Sequence, residues 1–229
     1  MKRVRFSSHA VGLLVAIATV GGIVWNTPTA TAQEPILQEQ GNLESLLGRH
    51  IFSGTAGQAV VISLMSNDFS GGLTILGPDG TELVSNEGFS RDPSVSSLFL
   101  TLPNDGDYTI VARSPFGAPG DYTIQVRVAT PYDEAYERGN SFLLQGNYQE
   151  AIDAFTEAIS LDPSQPAAHL NLADAIYGEA TRLQPDELET IAANYLRAAE
   201  LYEEQGNMEQ AEMLREQVRF LQEISTGGF

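Results

Sequence analysis

Five aspartates, Asp68, Asp79, Asp105, Asp107 and Asp121, fall in short polar turns between apolar runs. Turn carboxylates and carbonyls are the hard oxygen ligands that calcium takes. No EF-hand spacing joins these five, and aspartate is favoured in turns anyway because its side chain bonds nearby backbone. The expectation is therefore no cofactor and no metal, with these five as the candidates should calcium bind. His50 and His169 are the two histidines beyond residue 33. One sits at the start of a strand pattern and the other at a helix core position, where histidine usually packs or hydrogen-bonds rather than catalyses. Glu203, Glu204, Glu209 and Glu212 read as a solvated helix face, not as a paired acid and base. The sequence has no Gly-x-Ser-x-Gly elbow, His-Glu-x-x-His, phosphate loop or dinucleotide fingerprint. It also has no cysteine, which removes disulfides, thiolate chemistry and lipidation at a cysteine. No enzymatic activity is expected.

Charge narrows the partners. The 229 residues include 30 acidic and 12 basic ones, for a net charge of −18. Lys2, Arg3 and Arg5 lie at the extreme N-terminus, all acids lie beyond residue 33, and Lys2 is the sole lysine. Such a chain repels phosphate backbones and anionic headgroups, which argues against nucleic acid and lipid surfaces and leaves cationic partners open. The same charge also serves simply to keep an exported protein soluble.

The three basic residues precede an apolar run from Ala10 to Trp25, then Pro28 and a small-x-small motif, Ala30-Thr31-Ala32. This order predicts a secretory signal peptide over 1–32, cleaved before Gln33, with an uncleaved anchor as the alternative. The rest of the chain is then expected outside the cytoplasm, periplasmic or extracellular.

From Arg49 to Val128, within a domain expected over 36–130, the apolar residues alternate. Runs at 59–64, 73–76, 81–84, 98–102, 108–112 and 122–128 are separated by turn clusters, predicting an antiparallel β-sandwich, jelly-roll-like, of seven or eight strands. Gly-Asp-Tyr-Thr-Ile occurs at 106–110 and again at 120–124, placing Tyr108 and Tyr122 at strand starts. A tyrosine there buries its ring and sends its hydroxyl to a backbone group. Gly54-Thr55-Ala56-Gly57, Gly77-Pro78-Asp79-Gly80, Leu102–Ile110 and Gly120–Ile124 follow in order. In this set the segment resembles a bacterial pre-peptidase C-terminal (PPC) domain. The resemblance implies a non-catalytic module of secreted proteins that binds ligands or assists secretion.

The period changes after Pro131. From 132 to 225 apolar residues recur at three and four positions, predicting about five helices in hairpins. Gly139, Phe142, Gly146, Tyr148, Ala151, Phe155, Ala158 and Pro163 fall at the positions of one 34-residue unit, with Ala135 where tryptophan is usual. The segment resembles tetratricopeptide (TPR) repeats, with a second unit from Pro166 and a broken register near Gly178–Asp186. The resemblance implies a shallow concave face carrying Tyr136, Asn140, Leu143, Asn171, Asp174, Tyr177 and Arg197, and binding of a protein or peptide partner there. The alternative is that these residues line a solvated or self-packed face. The lysines of the carboxylate clamp found in chaperone-binding repeats are missing.

The sequence thus describes a multidomain all-β plus all-α protein: an exported scaffold whose helices hold a partner and whose sandwich anchors to an envelope component or polymer. Self-associating envelope factor and accessory subunit of a secreted hydrolase are the alternatives. The short joint at Thr130-Pro131 predicts a restricted hinge.

Overall fold

The computed structural model describes residues 34–43, 47–87, 94–114, 117–180 and 184–225. The expected signal peptide lies outside these residues. Eight strands precede five helices: β1 (Leu37–Asn42), β2 (Leu47–Gly54), β3 (Ala59–Met65), β4 (Gly72–Leu76), β5 (Glu82–Asn86), β6 (Val95–Thr101), β7 (Gly106–Arg113) and β8 (Asp121–Val128), then α1 (Pro131–Leu144), α2 (Tyr148–Leu161), α3 (Pro166–Glu179), α4 (Pro185–Glu204) and α5 (Met208–Ser225).

The strands form two antiparallel four-stranded sheets, ordered β1-β8-β3-β6 and β2-β7-β4-β5. Alternation decides which side chains meet between them. Val60, Ile62 and Leu64 of β3, Ile124 and Val126 of β8, Ile110 of β7 and Leu73 and Ile75 of β4 point inward and are buried. Val61, Ser63, Ser97, Phe99 and Arg127 are the odd partners of that alternation, on the outer face of the first sheet. Register aligns Phe99 with Val61 and Val61 with Arg127 across β6, β3 and β8.

Tyr108 closes a corner as expected. Its ring stacks on Phe52, its hydroxyl donates to the Asn104 carbonyl at 2.6 Å, and the Asn104 amide donates back at 3.2 Å. Tyr122 goes elsewhere: its hydroxyl donates to His50 Nε2, 2.8 Å away in the opposite sheet.

The helices stack antiparallel. Gly139 lets α1 approach α2, because a Cβ there would sit 2.6 Å from the Phe155 ring. The hairpin turns of α1–α2 and α4–α5 share one design. Gly146 (φ 74°) and Gly206 (φ 84°) take the left-handed conformation that spares glycine a Cβ clash. The following asparagine amides, Asn147 and Asn207, close on the carbonyls of Phe142 and Tyr202. These turns lie 60 residues apart, so α3 alone stands where a full second hairpin would be. α4 packs on both α3 and α5. Tyr195, Ala199 and Tyr202 bury against Ala211, Leu214 and Val218 of α5.

Sandwich and helices fall within one compact unit, and a specific joint connects them. Thr130 caps α1: its hydroxyl accepts from the Asp133 amide while the Asp133 carboxylate accepts from the Thr130 amide at 2.7 Å. Asp133 also takes both terminal nitrogens of Arg127 from β8. Burial alone would raise the Asp133 carboxyl. The hydrogen bonds from Arg127 and Thr130 outweigh it and hold the group below the usual carboxylate range.

Candidate partner-binding cleft

The joint leaves an open cleft of about 620 Å³ between the outer face of the first sheet and the helices. Its sheet wall comprises Val61 and Ser63 of β3, Ser97 and Phe99 of β6, and Arg127. Its helical wall comprises Tyr132, Tyr136, Glu137 and Asn140 of α1, Leu170 and Asn171 of α3, and Tyr202 near the end of α4.

A polar network fixes the helical wall. Asn171 Nδ2 donates to the Tyr136 hydroxyl at 3.0 Å and to Asn140 Oδ1 at 2.9 Å. Asn140 in turn bonds the Glu137 carboxylate. The rings of Tyr132 and Tyr136 stack at 5.7 Å, and Tyr136 leans on Phe155 beneath. Burial, reinforced by Tyr136 and Asp133, pushes the Tyr132 hydroxyl far above its ordinary pKa, so the ring stays neutral. Burial also raises the Glu137 carboxyl, only partly offset by Asn140.

The seven residues expected on the concave face separate. Tyr136, Asn140 and Asn171 meet in the cleft. Leu143 packs beside Phe155 and Leu172. Asp174 accepts from the buried Tyr195 hydroxyl at 2.6 Å, a bond between α3 and α4. Tyr177 is exposed near the end of α3, and Arg197 pairs with Glu200 one turn along α4 at 3.0 Å; neither lines the cleft. Phe99, Glu137 and the sheet wall were not legible as site residues, because their meeting depends on how β8 hands over to α1.

A second cluster bridges the two sheets. His50 Nδ1 lies 2.6 Å from Glu39 Oε2, which assigns that nitrogen the proton and leaves Nε2 to accept from Tyr122. Burial, then the charge of Glu39, raises the Tyr122 hydroxyl. This chain ties β1 and β8 to β2, and it sits largely inside the protein.

The aspartate candidates for calcium are engaged in hydrogen bonds within the protein, and Asp107 and Asp121 lie in β7 and β8 instead of in turns, with the Asp121 carboxylate accepting from Asn42. Asp105 accepts from the Ala56 amide, Asp107 from the Ser53 hydroxyl, Asp79 from Thr81, and Asp68 from the Asp121 amide. Among the described residues no group of three or more histidines and carboxylates gathers in metal-binding geometry. Nor is any described helix long and apolar enough to cross a membrane.

Comparison with known proteins gives two kinds of likeness. Residues 139–179, from mid-α1 to the end of α3, match the TPR repeat family. Among solved structures, the chain is similar to the pre-peptidase C-terminal domain of a collagenase from Bacillus anthracis, at 10% identity and a TM-score of 0.35, covering 41% of this chain and 90% of that one. It is also similar to a periplasmic inhibitor of g-type lysozyme from Aeromonas hydrophila, at 12% identity and a TM-score of 0.33, covering 41% of this chain and 85% of that one. No curated protein matches the chain.

Proposed function

We propose that this is an exported, non-catalytic scaffold that holds a segment of a protein partner in the cleft between sandwich and helices. The observation that carries the reading is that one cleft is built jointly by Phe99 and Val61 of the sandwich and by Tyr136, Asn140 and Asn171 of the repeats. Apolar and aromatic surface interleaved with oriented amides is what an interaction groove requires. The TPR repeat supports protein binding as its class of use. The N-terminal basic, apolar and small-residue order supports export.

The test is co-purification from cells expressing the full sequence, with Phe99→Glu against Ile51→Glu. Ile51 is exposed on β2, in the other sheet. Loss of a discrete partner with the first variant alone supports the reading. Capture that survives Phe99→Glu moves recognition away from the cleft. Mass measurement of the same product tests cleavage of the signal segment: processing before Gln33 is expected, and an intact N-terminus favours the anchor instead.

A second reading rests on a different surface. Met208, Met213 and Phe220 are exposed on α5, and Leu188, Ala192, Leu196 and Leu221 line a groove of about 430 Å³ on α4 and α5. This exposed apolar surface favours self-association, which concentration-dependent light scattering checks directly.

A further inference from the structure

Among the described residues, one carboxylate of the cleft has no paired cation. Asp133 is neutralised by Arg127, but Glu137, half-buried on the same helix, has Asn140 as its hydrogen-bond partner and no cation among the described residues. Withdrawing a carboxylate from water without a counter-charge is costly, and the cost falls when a cation arrives. Tyr132, Tyr136, Tyr202 and Phe99 line the same space. Aromatic rings beside a carboxylate favour a guanidinium or ammonium group, with arginine the more frequent choice.

The sheet wall says what shape carries that cation. β6 is the edge strand of its sheet. The Ser94 carbonyl accepts from Ser66, next to β3, and the Leu102 amide donates to Gln58, so even-numbered positions face β3. The Ser97 carbonyl instead accepts from the Asn86 side chain at 3.2 Å, off the other edge. By the same alternation Phe99 and Thr101 direct their N–H and C=O groups outward, where no described strand pairs with them. An extended chain finds backbone partners there, and alternate side chains of an added strand lie on the cleft side of the sheet.

We propose that the occupant of the cleft is an extended segment of a partner protein that pairs with the free edge of β6 and places an arginine or lysine against Glu137. The inference rests on the cleft reading above and names the partner's chemistry. The acidic surface as a whole adds long-range attraction for such a segment, but Glu137 supplies the position.

The probe is a displayed library of random twelve-residue peptides, panned against the protein purified after expression from its full sequence. Selected peptides are resynthesised with a fluorophore. Enrichment of one basic position is expected, with at least about tenfold weaker binding when that arginine becomes citrulline, a loss typical of a charge-assisted contact. Glu137→Gln should weaken binding to a similar degree, and Glu150→Gln, an exposed acid on α2, should not. Equal loss with both variants reduces the effect to bulk charge and overturns the proposal. So does a selection without a basic position, or one that yields no binder. Equal affinity for free butylguanidine overturns the extended-segment part. Phe99→Glu separates the two levels. Binding lost with Phe99→Glu but indifferent to Glu137→Gln and citrulline preserves the cleft and rejects the cation. Binding indifferent to all three rejects the cleft itself.

Discussion

Arg127 on β8 reaches across the Thr130-Pro131 joint and holds both carboxylate oxygens of Asp133 on α1, at 2.5 and 2.7 Å. Asp133 is simultaneously the return half of the α1 capping box. One ion pair therefore starts the helical stack and ties it to the sandwich. A bidentate pair fixes angle as well as distance, so this contact constrains how β8 hands over to α1.

A double-mutant cycle with Arg127→Met and Asp133→Asn measures that tie. Asp133 is buried and Arg127 about one-third exposed, between the limits of surface and interior pairs. A coupling of about 2 kcal/mol is expected in urea unfolding. Additive effects of the two substitutions would mean that the pair does not join the halves.

Acid unfolding carries the same signature. The folded Asp133 pKa is depressed, so its contribution is present above the unfolded value of about 3.9 and is lost as pH falls through the lower folded value. Asp133→Asn should reduce stability near neutrality and flatten the acid limb of the stability profile. An unchanged limb would contradict the assignment.

Tyr122→Phe removes the donor to His50 Nε2 and leaves that buried nitrogen without its hydroxyl. A loss of about 1–2 kcal/mol is expected by thermal or urea unfolding, with Tyr108→Phe losing a similar amount through Asn104. A neutral Tyr122→Phe would mean that solvent replaces the hydroxyl.

Gly139→Ala inserts a methyl into the Phe155 ring and should cost about 1–3 kcal/mol by overpacking. Adding Phe155→Leu in the same chain should recover part of it. Simple additivity of the two changes would place the strain elsewhere.

Period-two apolar runs and the positions of one 34-residue unit, from Gly139 to Pro163, made most of both halves legible in the sequence, because those patterns report local conformation and burial. β1 was not legible as a strand: Leu37-Gln38-Glu39-Gln40-Gly41-Asn42 is largely polar, as a sheet edge permits. The Glu39–His50–Tyr122 chain was hidden for the same reason, since it joins β1, β2 and β8. Tyr136, Asn140 and Asn171 were legible because repeat spacing puts them on one face. Asp174 shares that face but is committed to Tyr195, a partner only packing could reveal. The sandwich half of the cleft was beyond any local pattern. It lies where Arg127 and Asp133 join β8 to α1.

The absence of cysteine in the natural sequence permits one direct measurement of the central claim. A benzophenone maleimide is attached to Ser97→Cys on the cleft wall or to Ile51→Cys on the other sheet, and illuminated in envelope extract. The account predicts a discrete protein adduct from Ser97→Cys, suppressed by Glu137→Gln, and none from Ile51→Cys. Equal adducts from both positions, or one from Ile51→Cys alone, would contradict it.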